Sequence, residues 1–232
     1  MLNSALFRFI ITFFVCLIGL TENNMQAQSH KINWGVRLGL NAVSITSYKA
    51  FQTDEVLTNS SFTNENGYLI NGFARFNFNR IFLQPELSWN NYHRICSFSL
   101  PIENNSDYYP SVDLKIHSQA INTNLLIGYN IVHDYPFLFG VYAGASAIGT
   151  YRTDYSMDIA EPFLKKDLLL NYSGILGVSI NISKLYFDLR YEATVPINYL
   201  NLNDIPSIPN NYQNVLIKRT ESFLSFSVGV MF

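Results

Sequence analysis

The sequence predicts an all-β protein, an eight-stranded antiparallel up-and-down transmembrane β-barrel with short turns at one end and four long loops at the other. Three observations predict it. Apolar and polar residues alternate along segments of roughly ten residues, the length of a membrane-barrel strand. Of the 232 residues 15% are aromatic and only 14% are charged, where soluble domains have about a quarter charged. The connections between the segments alternate between short and long.

Residues 1–27 have the features of a signal peptide, which leaves residues 28–232 as one barrel domain. Arg8 gives a positive start and residues 9–20 form an apolar run. That run is shorter than the roughly 20 residues of a membrane-spanning helix, the alternative interpretation. Ala27 is a small residue before the expected cleavage, so the mature chain would begin at Gln28 or Ser29. Only Cys96 would then remain, which excludes an intramolecular disulfide and cysteine-rich zinc sites.

The strand pattern is clearest in residues 32–42, where apolar side chains alternate with Asn, Gly and Arg. A two-residue turn at Asn79 and Arg80 would pair Phe78 with Ile81 and sort both strands onto the same two faces. Residues 121–129 and 137–147 form a second hairpin around His133 and Asp134, and residues 181–184 turn a third; the last strand covers residues 222–232. Pro85 lacks a ladder donor, so a local bulge is expected there.

The long connections cover residues 44–66, 93–114, 150–167 and 194–217, and the short turns lie at Asn79, His133 and Ser183. Both chain ends fall on the short-turn side. Bacterial outer-membrane barrels show this asymmetry, with short periplasmic turns and long extracellular loops. The pattern therefore predicts that the chain is exported to the cell outer membrane and contacts outer-membrane lipid.

The composition of the two faces indicates which one points outward. A soluble lipocalin-type barrel is the alternative, but it would carry Lys and Glu on its polar face. Here that face is rich in Gly, Ser and Asn, small residues that fit a crowded lumen. Aromatic residues gather near strand ends on the apolar face, as in the girdles at membrane interfaces: Trp34, Phe78, Tyr129, Phe137 and Phe232 at the turn end, Trp89, Tyr172 and Tyr191 at the loop end.

Five segments resemble the PorT-like outer-membrane β-barrel family of Gram-negative Bacteroidota. They are WGVRLGLNAV, FARFNFNRIFLQPELSW, INTNLLIGYN, KLYFDLRYEA and the ending FSVGVMF, in order along nearly all of the mature chain. The resemblance implies an eight-stranded barrel in the outer membrane. It also implies a part in protein secretion and surface attachment, the role of the founding member. The matched residues are strand positions rather than loop or functional residues.

Six charged residues on the predicted lumen face are the main candidate site. They fall at similar heights and are expected to form a structural network, because unpaired buried charge is costly; an alternative is a proton or ion path. Arg75 would pair with Glu86 across the first hairpin. The six are Arg37, Arg75, Glu86, Asp188, Arg190 and Glu192.

No catalytic, metal-binding or cofactor-binding residues are predicted, so the protein is expected not to be an enzyme. A barrel that deacylates lipid would need His and Ser two residues apart on one strand face. Here His117 and Ser118 are adjacent and would point to opposite faces, which disfavours that activity. Asp154, Asp158, Asp167 and His93 are interpreted as solvated loop residues. A net charge of −2 lacks the excess of positive charge that is typical of nucleic-acid binding, so no nucleic-acid partner is expected.

The predicted function is that of a structural, assembly or secretion-associated envelope component, with other envelope or secretion proteins as partners. One alternative is a surface-binding or adhesion barrel that uses its long loops. A remote alternative is an outer-membrane lipid-modifying enzyme. Phe232 ends the last strand on the apolar face and is predicted to be the signal that the barrel-insertion machinery recognises during biogenesis.

Overall fold

The computed structural model describes residues 31–52, 55–56, 61–64, 66–99, 111–134, 136–157, 160–166, 168–195, 198–201 and 215–232. The predicted signal peptide lies outside these residues. The described part contains twelve strands in one antiparallel sheet and no helix long and apolar enough to cross a membrane. The strands are β1 Ile32–Gln52, β2 Glu55–Val56, β3 Ser61–Asn64, β4 Asn66–Phe78, β5 Ile81–Ser99, β6 Ser111–Asp134, β7 Phe137–Met157, β8 Ala160–Lys165, β9 Leu169–Ile182, β10 Leu185–Thr194, β11 Asn198–Asn201 and β12 Val215–Met231.

Eight of these strands form a closed ring, in the order β1, β4, β5, β6, β7, β9, β10 and β12. The ring closes because β12 pairs with β1 along most of its length. The four short strands lie at the loop end, where β2 pairs with β1, β3 with β5, β8 with β7 and β11 with β12. The predicted eight-stranded antiparallel barrel is therefore confirmed.

The first hairpin has the predicted register, since Phe78 pairs with Ile81 across Asn79 and Arg80. The bulge expected at Pro85 is wrong. The register between β4 and β5 is the same on both sides of Pro85, and only the two pairs nearest to it are missing. Both pairs would need the amide hydrogen that proline lacks, so the ladder is interrupted without an extra residue.

The other two short turns differ slightly from the prediction. Asp134 pairs with Phe137, so His133 and Asp134 lie at the end of β6 rather than in the turn, and a bulge falls between Asn130 and Val132. In the third hairpin Ile182 pairs with Leu185. Asn79 and Ser183 have φ of 57° and 56°, the left-handed region that two-residue hairpin turns require.

The apolar face of the barrel points outward and the polar face inward. Leu40, Phe78 and Leu176 are 61%, 64% and 62% exposed, whereas Asn33, Arg37 and Gln84 are almost fully buried. This inversion suits a wall surrounded by lipid. Phe82, the apolar exception on the polar face, lies fully buried in the lumen.

Several strands extend far into the segments that were predicted to be loops, so those loop boundaries are wrong. The strands β1, β5, β6 and β7 have 21, 19, 24 and 21 residues, about twice the 9–11 residues that cross a bilayer. Beyond the membrane the outer face need not be apolar. Strand pairing therefore continues there, while the alternation that marks a strand in the sequence fades.

Candidate functional site: the charge network of the lumen

Four charged side chains form a ring across the middle of the lumen, which we call the charge quartet: Arg37, Glu86, Asp188 and Arg190. Nη2 of Arg37 lies 2.8 Å from both carboxylate oxygens of Glu86, and its Nη1 lies 3.1 Å from Asp188. Arg190 makes the matching contacts, at 3.0 Å and 3.2 Å to Glu86 and 3.0 Å to Asp188. Each guanidinium thus bridges both carboxylates, and the quartet is neutral as a whole.

The quartet joins opposite walls of the barrel. Glu86 belongs to β5 and Asp188 and Arg190 to β10, which lie four strands apart in the eight-stranded ring. Amide groups complete the hydrogen bonds of Glu86, with Asn71, Gln84 and Asn124 donating at 3.3, 2.7 and 3.0 Å. All four members of the quartet are at most 5% exposed. Such paired and hydrogen-bonded buried charges are costly to break.

Arg75 is buried but does not pair with Glu86, so that predicted pairing is wrong. Nε of Arg75 donates to Gln84 at 2.6 Å, and Nη2 donates to the Tyr186 hydroxyl at 3.1 Å. Its guanidinium lies 3.8 Å from the ring centre of Phe82. Arg75 lies nearer the turn end than the quartet, among aromatic rings that offer it π faces instead of a carboxylate.

Glycines make room for two aromatic rings in the lumen, one beside Arg75 and one beside the quartet. A Cβ atom at Gly128 would collide with the Phe82 ring, and one at Gly177 would collide with Tyr142. Both rings belong to one buried cluster. The hydroxyl of Tyr142 donates to Asp188 at 2.6 Å, so the aromatic layer also supports the quartet.

Glu192 is the last of the six predicted residues and lies on the loop side of the quartet. Its carboxylate accepts a short hydrogen bond from Ser173. Among the described residues no arginine or lysine lies within ion-pair distance of it. The structure therefore brings Arg37, Glu86, Asp188 and Arg190 together and leaves Arg75 and Glu192 on either side of them.

The sequence prediction missed a second ion pair in the lumen, between Arg94 and Glu221. Nη2 of Arg94 lies 2.7 Å from Glu221, and Nη1 donates to Ser118 at 3.2 Å. Arg94 falls in a segment that was predicted to be a loop, and Glu221 lies one residue before the predicted start of the last strand. Their parity would have revealed them, because Arg94 continues the inward-facing series of β5 and Glu221 that of β12.

A model of the outer membrane protein beta-barrel domain family matches residues 26–205. The chain belongs to this family. It is therefore an outer-membrane β-barrel protein. No curated protein matches it.

Three solved outer-membrane structures illustrate what the barrel resembles. The attachment invasion locus protein Ail of Yersinia pestis, solved with a heparin analogue, is 11% identical with a TM-score of 0.39, covering 88% of this chain and 100% of that one. OprG of Pseudomonas aeruginosa is 11% identical with a TM-score of 0.48, covering 86% and 95%. The outer membrane protease OmpT of Escherichia coli is 10% identical with a TM-score of 0.40, covering 87% and 96%.

Phe232 lies at the seam where the barrel closes. Its main chain exchanges two hydrogen bonds with Trp34 of β1, at 3.0 and 2.7 Å. Its ring stacks on the Trp34 indole with the centroids 4.6 Å apart, and the Lys184 ammonium lies 5.9 Å from its centre. The terminal residue therefore links the first and last strands at the turn end of the barrel.

A small polar cluster lies on the outer wall beyond the loop-end girdle. The rings of His93 and His117 stack 4.3 Å apart, and Nδ1 of His117 lies 3.5 Å from Asp154. His93 and Asp154 are thus in strands rather than in solvated loops; Asp158 and Asp167 lie outside the described residues. Ser118 points into the lumen, opposite to His117, as predicted.

The outer-wall cluster lacks the geometry of a catalytic site. Nε2 of His117 is engaged by Asn91 at 2.8 Å, and no nucleophile is hydrogen-bonded to either histidine within the described part of the chain. In that same part, no three His, Cys, Asp or Glu side chains are grouped to hold a metal ion.

We expect His117 to titrate below the ordinary histidine range. Burial lowers its pKa, the neighbouring His93 lowers the pKa further, and Asp154 partly opposes both effects. Because the folded state disfavours the proton, the contribution of His117 to stability is present above its unfolded pKa and is lost as the pH falls. NMR titration of the imidazole should show a lower midpoint in Asp154→Asn and a higher one in His93→Gln. A midpoint that is the same in both variants as in the wild type would contradict this electrostatic account.

Proposed function

We propose that this outer-membrane barrel is a non-enzymatic structural or assembly component of the envelope, exported by a signal peptide that ends near Ala27. The observation that supports this proposal most directly is the charge quartet. It joins opposite walls at mid-height with all four charges paired, so it strengthens the barrel and obstructs passage through it. An eight-stranded lumen is just filled by side chains, which favours a scaffold over a general pore.

The tall extracellular wall supports a role in contacts with other envelope proteins. The strands β6 and β7 continue well beyond the girdle residue Trp89, whereas β9 and β10 have only 14 and 10 residues. The hydrogen bonds between paired strands hold the residues beyond the membrane in fixed positions, whereas an unpaired loop would leave them free to move. The wall is thus suited to present a defined surface to a protein partner outside the membrane.

The PorT-like segments make protein secretion the specific process that we propose for this component. The test is to crosslink outer-membrane proteins in cells and to co-purify them with a tagged chain. The affinity tag is placed after Gln28 so that Phe232 remains unmodified. We expect secretion-associated envelope proteins to co-purify with the wild-type chain, and fewer of them after residues 202–214 are shortened. The same partners after loop trimming would move the contact to the periplasmic end, and an empty partner list would contradict the proposal.

A surface-binding barrel is the second candidate, favoured by the same raised wall. The tyrosines of the loop end are its candidate contact residues, because aromatic side chains are suited to binding surfaces. Tyr199 lies in β11 at the loop end, and Tyr108, Tyr109 and Tyr212 lie outside the described residues. Tyr155 is buried, and the half-buried Tyr151 accepts a hydrogen bond from Trp89, so both tyrosines already have partners in the barrel. Binding of intact cells to immobilised glycans, lost on loop trimming with no change in co-purified proteins, would favour this alternative.

The closed lumen predicts the behaviour of the purified barrel in planar lipid bilayers. We expect no steady conductance, because the quartet spans the lumen from Glu86 to Arg190 and the interior of an eight-stranded barrel is just filled by side chains. The measurement should use protein whose folding has been verified by heat-modifiable gel migration, with empty detergent micelles as the control. A large, stable and voltage-independent conductance would show that the interior is open.

A further inference from the structure

A shallow apolar groove, which we call the β7 groove, runs along the membrane-facing side of β7. The outward-facing residues of this strand are small along its membrane-embedded part: Ala143, Ala145, Ala147 and Gly149. Most of their cross-strand neighbours on β6 and β9 have large apolar side chains that are exposed on the outer wall. These neighbours are Ile121, Leu125 and Ile127 on β6 and Leu170, Tyr172 and Leu176 on β9. The small residues therefore form a floor between two higher walls.

The β7 groove extends across one leaflet of the membrane. Neighbouring strands lie about 4.8 Å apart, so the two walls are about 10 Å apart and leave room for one extended acyl chain between them. Ala143 and Gly149 are six residues apart, which corresponds to about 20 Å along a strand. A strand tilt of about 45° turns this length into about 14 Å of depth, half of a hydrocarbon core of about 30 Å.

The upper end of the groove lies at the loop-end boundary of the lipid. Gly149 is in the same cross-strand row as the girdle residue Trp89, through Ile121 of β6. The next outward-facing row contains Gln119 and Arg152, which are also cross-strand partners. Because girdle aromatics mark the membrane interface, the Arg152 side chain lies at the height of the lipid headgroups.

Two cations lie side by side at this end of the groove. The pairing of Thr153 with Lys165, continued by one residue, places Lys166 opposite Arg152. Both side chains are exposed, and that of Arg152 remains 45% exposed although its Nε donates to Asp154 at 3.2 Å. Like charges directly opposite each other destabilise an antiparallel pair. The single carboxylate of Asp154 compensates only one of them, so one excess positive charge remains at the head of the groove.

This combination of charge and shape favours an anionic lipid over a second copy of the chain. A lipid would lay an acyl chain in the groove and place its phosphate between Arg152 and Lys166, where charge-assisted hydrogen bonds are strong. A second copy packed on the same face, about a two-fold axis along the membrane normal, would bring two such cation pairs together at one height. Their repulsion would oppose that dimer.

The polar groups beside the cations favour a glycolipid over a phospholipid. Asn91 and Gln119 are cross-strand partners in the row of Arg152, and the Tyr151 hydroxyl donates to Gln119 at 3.2 Å. Amide and hydroxyl groups both donate and accept hydrogen bonds, as the hydroxyls of a sugar do. The wall thus offers cations for a phosphate, polar groups for a sugar and a groove for an acyl chain.

We propose that the β7 groove binds one phosphorylated glycolipid of the outer leaflet. Its phosphate lies between Arg152 and Lys166, and one acyl chain follows the floor from Gly149 to Ala143. Leu168, 74% exposed beside Gly149, packs against the first part of that chain. Such a site needs only the outer-membrane location that the family establishes and is independent of the proposed envelope role.

Native mass spectrometry of the folded chain in detergent, titrated with diphosphoryl lipid A, tests the site. We expect one lipid A molecule to be retained per barrel. Dephosphorylated lipid A should bind at least tenfold more weakly, because it lacks the groups that the two cations attract. Phosphatidylglycerol, which supplies a phosphate without the sugar, should also bind more weakly than lipid A. Heat-modifiable gel migration verifies the folding of each sample beforehand.

Removal of the two cations tests the headgroup end of the groove. Arg152→Gln combined with Lys166→Gln should lower the affinity for lipid A at least tenfold, since each cation near an anionic lipid adds to the attraction. The matched control replaces two exposed cations of the turn end, Lys31→Gln with Arg80→Gln, and should bind like the wild type. If the double variant does not fold, Lys166→Gln alone replaces it, with a smaller loss of affinity expected.

A leucine in the floor tests the acyl-chain end of the groove. Ala145→Leu raises the floor to the height of the walls, so the affinity for lipid A should fall several-fold, while folding continues because the new side chain faces lipid. Ala74→Leu makes the same change on the outer face of β4, three strands away in the ring, and should leave the affinity unchanged.

Equal affinities for lipid A and its dephosphorylated form would overturn the proposal, as would wild-type affinity in the cation variants or in Ala145→Leu. Tighter binding of phosphatidylglycerol than of lipid A would contradict the choice of a glycolipid. A dimer in the mass spectrum that Ala145→Leu abolishes would assign the groove to a second copy of the chain instead.

Discussion

Glu86→Ala is expected to lower the free energy of unfolding by about 3–5 kcal/mol, the usual cost of breaking a buried ion pair. Glu86 contacts both arginines of the charge quartet, at 2.8 Å to Arg37 and 3.0 Å to Arg190. Without it two guanidinium groups share the single carboxylate of Asp188. Asn71, Gln84 and Asn124 also lose their common acceptor, so the damage extends beyond one pair.

Urea unfolding in lipid vesicles, followed by tryptophan fluorescence, measures this change. Asp134→Ala is the matched control, since Asp134 is exposed beside a turn and its removal should change the midpoint little. Arg37→Met combined with Glu86→Gln should recover part of the loss, because the double variant removes one charge of each sign. Equal midpoints for Glu86→Ala and Asp134→Ala would show that the quartet contributes nothing to stability.

The membrane-spanning half of the fold could be predicted from the sequence because one physical requirement acts on each residue there. Lipid on the outside and a crowded lumen on the inside require apolar and polar residues to alternate along each strand. The first eleven residues of the strand Ile32–Gln52 can therefore be recognised from the sequence. Past Asn41 and Ala42 no lipid constrains the outer face. The alternation of apolar and polar residues fades there although β1 continues to Gln52. For this reason the sequence predicts that the first loop begins before the strand has ended.

The members of the lumen site could be predicted better than their partners. Parity assigns Arg37, Arg75, Glu86 and Arg190 to the interior, and each is buried there. Partner choice depends on the stagger between strands that are far apart in the sequence, and the hairpin pattern does not determine that stagger. Arg75 and Glu86 lie on adjacent strands, yet Glu86 pairs with Arg190 of β10 across the barrel. The guanidinium of Arg75 lies over the ring of Phe82 instead.

Deletion of Phe232 is expected to lower the amount of folded barrel in the outer membrane several-fold while synthesis and export continue. Two reasons combine. The closing seam loses two main-chain hydrogen bonds and an aromatic stack, each contributing about 0.5–1.5 kcal/mol. The chain also loses the terminal aromatic residue that we expect the insertion machinery to recognise. Heat-modifiable migration of isolated outer membranes measures the folded fraction.

Trp34→Ala separates the two reasons, because it removes the ring that stacks on Phe232 and leaves the terminus intact. If recognition matters, Trp34→Ala should assemble in cells nearly as well as the wild type but unfold at lower urea, whereas the deletion should be defective in both assays. Phe137→Ala, a girdle residue at the same end of the barrel, controls for the loss of an interfacial aromatic. Refolding into vesicles without the machinery completes the comparison: there the deletion should be less stable than Trp34→Ala only by the two main-chain hydrogen bonds that it also loses, and its several-fold assembly defect should disappear. Assembly of the deletion variant at the wild-type level in cells would remove the targeting role and leave Phe232 as a seam residue only.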